Sequence, residues 1–210
     1  MPEITKSHAL HLGRVAIHQE VLALQKLEHE LGDPFWQCAG LLMDCPGLVW
    51  ITAVGTSASA GMRFAHVLAC SGTRAMFLSP SDGLHGHTNV MQPGDVLVAL
   101  SRGGESQEVV QMVLIANTLG VKTIGFVHDV KSSLARNAQY LLPVQSLQEY
   151  ELMGYLATTS TVAYSAMCDA LCSVLAQAKG FTPEQFAKVH PGGAVGQILA
   201  SADENRKEET

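Results

Sequence analysis

Two stretches of the chain concentrate small and hydroxyl-bearing residues, Gly55-Thr56-Ser57-Ala58-Ser59 and Ser101-Arg102-Gly103-Gly104-Glu105-Ser106. Each follows a short apolar run and precedes a helical pattern, so each lies where a strand hands over to a helix. Unpaired backbone N–H groups and the helix dipole draw an anion to such a turn, and Ser and Thr add donors at close range. A phosphate is the natural guest. Any strand-to-helix turn is rich in Gly and Ser, so one loop alone says little. Two in register, with Thr158-Thr159-Ser160-Thr161 at a further helix start, put phosphate binding ahead. The candidate phosphate ligands are Gly55, Thr56, Ser57, Ser59, Ser101, Arg102, Gly103, Ser106, Thr158 and Ser160. Neither loop is a nucleotide fingerprint: Gly-x-x-x-x-Gly-Lys-[Ser/Thr] is absent, and Gly55 and Gly61 do not fit Gly-x-Gly-x-x-Gly. The hydroxyl density points to a small phosphorylated metabolite.

The elements that position these loops follow from periodicity. Leu48–Val54 is apolar and β-branched with no polar face, as a strand covered on both sides must be. Similar runs recur at Ala75–Leu78, Asp95–Ser101, Lys122–His128 and Gln139–Val144, with helical stretches between most of them. This alternation predicts right-handed βαβ units and an α/β fold, a three-layer αβα sandwich around a five-stranded parallel sheet, flavodoxin-like or Rossmann-like. Ligands bind such sheets beyond the carboxyl ends of the strands. Helices are expected at 7–31 and 35–44 before the sheet, then a long one from Met153 to Lys179 and a short one from Pro183 to His190. Thr182 and Pro183 supply the N-cap and first helical position of the last. The expected organisation is 1–46 as N-terminal helices, 47–200 as the domain and 201–210 as a disordered charged tail.

Composition narrows the function classes. The 210 residues are 47% hydrophobic and 15% charged, with a net charge of −6. A disordered chain needs fewer apolar residues and more charge. Only 13 Lys and Arg are spread along the chain, against nucleic-acid binding. No apolar run has the length of a membrane span, and the first residues lack a signal core, so a cytoplasmic location is expected. The five cysteines cannot pair completely and form no Cys-x-x-Cys. Their expected place is a reduced core.

Ser101–Glu108 followed by an apolar helix resembles the Ser-x-Ser-Gly-Glu-[Ser/Thr] loop of SIS (sugar isomerase) domains. The resemblance extends toward the arabinose-5-phosphate isomerases. Its marks are Ser71-Gly72-Thr73, His85-Gly86, Met91–Val96, Thr159-Ser160-Thr161, Cys168–Leu171, Lys179–Ala187 and, most diagnostic, His190-Pro191-Gly192-Gly193-Ala194-Val195-Gly196. It covers about Gly47 to Leu199. It implies aldose–ketose isomerisation of a sugar phosphate through an enediolate, with no cofactor or metal. It also implies a homotetramer in which His190 reaches a neighbouring subunit's site, and no nucleic-acid or membrane partner. A chain ending at Thr210 is expected to hold no CBS pair after the domain.

By match with the family motifs, Glu149 is the candidate general base, His190 the group for ring opening or proton shuttling, and Glu108 a further catalytic acid. His85 joins the sugar-binding set. Plainer roles stand beside these. Glu108 in a helix first turn complements the dipole, Glu151 competes with Glu149, and His190 suits a helix C-terminus. The sequence departs from the family where Thr56 replaces the first-loop Lys, Gly103 replaces a Ser, and His87 replaces an Asp. His85 and His87, with His190, also invite zinc, but spacing fixes no third ligand. Two rival functions remain: a non-catalytic sugar-phosphate sensor, and another SIS reaction such as hexulose-phosphate isomerisation or phosphosugar ether cleavage.

Overall fold

The structure, a computed structural model, describes residues 4–145, 150–192 and 196. Five parallel strands form one sheet in the order β2-β1-β3-β4-β5, with β1 at Val49–Ala53, β2 at Ala75–Phe77, β3 at Val96–Leu100, β4 at Lys122–Val127 and β5 at Tyr140–Pro143. All four pairings are parallel, as the alternation of strand and helix patterns predicts. This is the flavodoxin-like order, whose connections run in opposite directions from β1 and β3 and open a crevice between them.

Side-chain alternation divides the core in two. Val49, Ile51 and Ala53 of β1 and Val96, Val98 and Leu100 of β3 pack toward one face, where they meet Phe64 and Leu68 of α3 (Gly55–Cys70). The same layer takes Tyr164, Leu171 and Leu175 from α7 (Thr159–Ala178) and Leu42 from α2 (Asp33–Met43). Trp50, Leu97 and Ala99 point the other way, onto Val109, Met112 and Val113 of α5 (Gln107–Thr118) and Leu134 of α6 (Ser133–Asn137). A period of two, apolar on both faces, is what a sheet sandwiched between helix layers requires. Phe126 anchors the first layer, with ring centroids 6.3 Å from Phe64 and 6.3 Å from Tyr164.

At the amino edge, Asp95 organises the strand starts. It accepts hydrogen bonds from Leu48 N at 2.7 Å, Trp50 Nε1 at 2.9 Å and Gln92 N at 3.0 Å. Three donors offset the cost of burying the carboxylate.

One expectation changes. The helix expected from Met153 begins only at Thr159, because residues 152–156 fold into a turn with Met153 at φ 56° and Gly154 at φ 75°. The helix α1 (Lys6–His29) buries only Ala23 and Leu27, and leaves Leu10, Leu12, Val15, Ile17 and Val21 exposed. The short helix α4 (Pro80–Gly83) and a 3₁₀ turn (His87–Val90) carry the chain from β2 toward β3, and α8 (Pro183–Val189) closes the described part. No helix among the described residues is long and apolar enough to cross a membrane.

Candidate active site

The two hydroxyl-rich loops leave neighbouring strands. Ala53 of β1 pairs in register with Leu100 of β3, so Gly55 and Ser101 lie just past adjacent carboxyl ends. The helices they lead into, α3 and α5, flank opposite faces of the sheet. The loops therefore open into the crevice between β1 and β3, where a doubly wound sheet binds its ligand.

Among the described residues, four of the α-helices begin with a side-chain cap, whereas α2, α3, α5 and α7 do not. Side chains cap α1 through Thr5, α4 through Ser79, α6 through Ser132, and α8 through a capping box between Thr182 and Gln185. Neither α3, with Val54 at its N-cap, nor α5, with Ser106 there, has a side-chain cap. Each leaves first-turn N–H groups facing the crevice without a side-chain acceptor, and the helix dipoles add positive potential. Gly55 enters α3 at φ 58°, a left-handed conformation that a side chain resists. Ser59 Oγ donates to Thr56 O at 2.6 Å, and Ser101 Oγ and Ser106 Oγ are 3.3 Å apart across the second loop. Gly104, at φ 66°, packs so close to Ser132 that a Cβ would collide with it. Glu105 accepts from Ser133 N at 2.8 Å, and hydrogen bonding from the Ser133 hydroxyl, then from its amide, holds the carboxyl below the usual range. The second loop is thus clamped to the start of α6.

Beside it, the start of α7 already holds an anion. The Glu151 side chain is 0% exposed, accepts from Thr158 N at 2.6 Å and Ser160 N at 3.1 Å, and sits 3.3 Å from Arg102 Nε. Two amides expected to face a ligand are therefore engaged by Glu151, while Ser160 Oγ is buried with no hydrogen-bond partner among the described residues. Sequence reasoning gave Glu151 only as a competitor of Glu149; the available signal was a carboxylate shortly before a Thr-Thr-Ser-Thr helix start. The Tyr164 hydroxyl, which donates to Phe126 O at 3.3 Å, is buried nearby and its pKa is pushed up by desolvation.

An open cavity of about 510 Å³ lies at the same edge, lined by Gly55, Ala58, Ser79, Ser81, His85 and Glu108 among others. It is of a size that small-molecule sites use. The structure thus brings Gly55, His85 and Glu108 together at the cavity, Ser101 and Ser106 together within the second loop, and Arg102, Thr158 and Ser160 around Glu151.

His190 is elsewhere. It ends α8, stacks on Phe186 with ring centroids 3.7 Å apart, and its Nδ1 lies 3.2 Å from Phe186 O. Helix α8 lines a cleft with Ala69, Cys70 and Gly72, at the far end of α3 from Gly55. Sixteen helical residues separate these ends by roughly 24 Å. Within one chain His190 and the two loops stay apart. Glu149, Gly193 to Val195 of the His-Pro-Gly-Gly motif and the tail 201–210 lie outside the described residues.

All five cysteines are free. Burial pushes the thiols of Cys38 and Cys172 up to about 12, and that of Cys168 well above its ordinary value. Among the described residues no three His, Cys, Asp or Glu side chains gather as metal ligands. His85 lines the cavity, and His87 opens the 3₁₀ turn behind Gly86.

Residues 42–174 match the SIS domain family model. The chain belongs to the SIS domain family. Over 185 residues this SIS protein is 36% identical to the arabinose 5-phosphate isomerase KdsD of Shigella flexneri, covering 88% of this chain and 56% of the relative. It is 32% identical over 190 residues to the arabinose 5-phosphate isomerase GutQ of Salmonella typhimurium, covering 90% and 59%. The SIS chain thus spans little more than half the length of the curated relatives it matches. Among solved structures, a proposed sugar-phosphate isomerase from Listeria monocytogenes superposes with a TM-score of 0.86 at 29% identity, over 90% of this chain and all of that one. The fold expected from the sequence, five parallel strands between helix layers, is the SIS fold.

Proposed function

We propose that this SIS domain catalyses the interconversion of an aldose phosphate and a ketose phosphate, arabinose 5-phosphate and ribulose 5-phosphate being the pair favoured by its relatives. The observation that carries the reading is the pair of helix N-termini, α3 and α5, that reach the β1/β3 crevice with no side-chain cap beside a cavity lined by His85 and Glu108. Such termini suit a phosphate dianion, and a net charge of −6 means that the anion must be held locally. Thr56, Ser57, Ser59, Ser101, Gly103 and Ser106 supply amides and hydroxyls, and Arg102 the only cation of the two loops.

The reaction moves one proton between neighbouring carbons and one between their oxygens. A base takes the hydrogen from the carbon beside the aldehyde, and its electron pair passes through the new C=C bond onto the carbonyl oxygen. The enediolate then accepts a proton on the former aldehyde carbon, while a hydroxyl proton shifts between the two oxygens. Glu149 is assigned as the base, Glu108 as the acid that serves the oxygens, and His190 as the ring-opening group. Phosphate held at the loops fixes the reacting carbons against these groups. One carbon is reduced as its neighbour is oxidised, so no external oxidant or reductant is needed.

The exposed apolar side of α1 and the distance of His190 from the loops support a symmetric oligomer, a tetramer, in which one subunit's His190 completes its neighbour's site. Five free thiols fit a cytoplasmic setting.

The test is to incubate the full chain with each of the two sugar phosphates and follow both by NMR. Approach to the same mixture from either side supports the reading. Saturable binding without conversion would make the protein a sensor instead.

A further inference from the structure

Glu151 is a buried carboxylate that the isomerase chemistry does not use. A fully enclosed acid costs stability unless donors satisfy it. Here they are the Thr158 and Ser160 amides, the Thr158 hydroxyl at 3.3 Å, and Arg102. Of Arg102, the Nε edge faces Glu151 at 3.3 Å, buried and with no hydrogen bond of good geometry. Among the described residues its two Nη nitrogens have no hydrogen-bond or ion-pair partner, and its side chain keeps 24% exposure. A guanidinium is a planar fork, so holding one edge leaves the other free in a fixed orientation. The residue so held stands between Ser101 and Gly103, in the loop whose helix, α5, has no side-chain cap. The first loop has Thr56 and no cation.

We propose that Glu151 is a positioning residue: it grips Arg102 by the Nε edge and presents the Nη groups to the phosphate of the substrate. The pair gives the second loop an oriented cation, which the first loop lacks. Because Glu151 also takes the α7 amides, it directs the phosphate to the α3 and α5 termini and away from α7. Binding then depends on the charge of Arg102, and turnover depends on its orientation.

This inference rests on the isomerase reading, but its first arm needs no turnover. Inorganic phosphate is titrated into the full chain by calorimetry for the wild type, Arg102→Gln, Arg102→Lys, Glu151→Gln and the double variant Arg102→Gln/Glu151→Gln. Melting checks that each is folded. The double variant removes both charges, so it leaves no buried carboxylate uncompensated. Loss of Arg102, alone or in the double variant, should weaken phosphate binding at least about tenfold, the scale of a charged hydrogen bond. Arg102→Lys should bind nearly as the wild type does. Glu151→Gln should bind phosphate as tightly or more tightly, one negative charge having gone.

The second arm is kcat with the sugar phosphate. Glu151→Gln and Arg102→Lys should each lose about tenfold in kcat with little rise in KM, a split that a purely structural cap would not produce. Wild-type phosphate affinity in the double variant, or wild-type kcat in folded Glu151→Gln, overturns the inference. If the wild type binds phosphate and turns nothing over, the isomerase reading fails, and the positioning of a phosphate-binding Arg102 is judged on the affinities alone.

Discussion

Glu151 Oε1 lies 3.3 Å from Arg102 Nε, joining the loop after β3 to the start of α7 across the carboxyl edge of the sheet. The pair is asymmetric: the carboxylate is fully enclosed and the guanidinium is 24% exposed. Removing the acid therefore strands two helix amides and one cation together. Glu151→Ala should cost roughly 2–4 kcal/mol, less than a fully buried pair because Arg102 retains solvent. Urea unfolding of the two proteins measures it; a difference below about 0.5 kcal/mol would mean that water replaces the carboxylate without loss.

Gly104 fixes the loop that carries Arg102. Its φ of 66° disfavours any side chain, and an added Cβ would run into Ser132. Gly104→Ala should destabilise by at least about 1–2 kcal/mol from the backbone alone. It should also raise KM, since the loop must move off α6 to relieve the collision.

The amino edge offers a contrast. Asp95 takes three donors, one of them Trp50 Nε1 at 2.9 Å, and lies at the opposite end of the strands from the crevice. Asp95→Ala strands buried donors at about 1–3 kcal/mol each, and Trp50 emission should shift as its partner is lost. Activity per folded molecule should stay unchanged. A loss of kcat in folded Asp95→Ala would place Asp95 in the site.

The thiols report on the core. Cys38, Cys168 and Cys172 should resist a disulfide reagent near pH 8 in the native protein and react on unfolding, while the half-exposed Cys45 and Cys70 react first. Burial holds Cys38 and Cys172 up to about 12, against 9.0 for an unperturbed thiol. Below pH 9 both folded and unfolded thiols are protonated. As pH climbs from 9 toward 12 the unfolded chain releases protons that the folded one keeps, so stability should fall through that window. Replacing Cys38 and Cys172 by Ala should flatten the slope.

The sheet could be read from the sequence because its strands, apolar on both faces, have no other stable home, and Gly-rich loops mark their ends. The β1 and β3 loops were legible for the same reason. What escaped reading depends on the third dimension. The late start of α7 follows from Glu151 folding back onto Thr158 and Ser160, a contact that no local propensity encodes. His190 carries a recognisable motif, yet α8 packs at the far end of α3 from Gly55, and no periodicity encodes that separation. Arg102 reads as a phosphate ligand, but only the fold shows that a buried acid holds one edge of it.

The central claim is proton transfer at the carbon beside a sugar-phosphate carbonyl. Incubating the protein with ribulose 5-phosphate in D₂O and recording the ¹H spectrum tests it most directly. The expected result is deuterium incorporated at the carbon where a proton is exchanged through the enediolate, appearing together with arabinose 5-phosphate and abolished by Glu149→Gln. A ribulose 5-phosphate signal unchanged in position and intensity, from protein that binds the sugar, would contradict it.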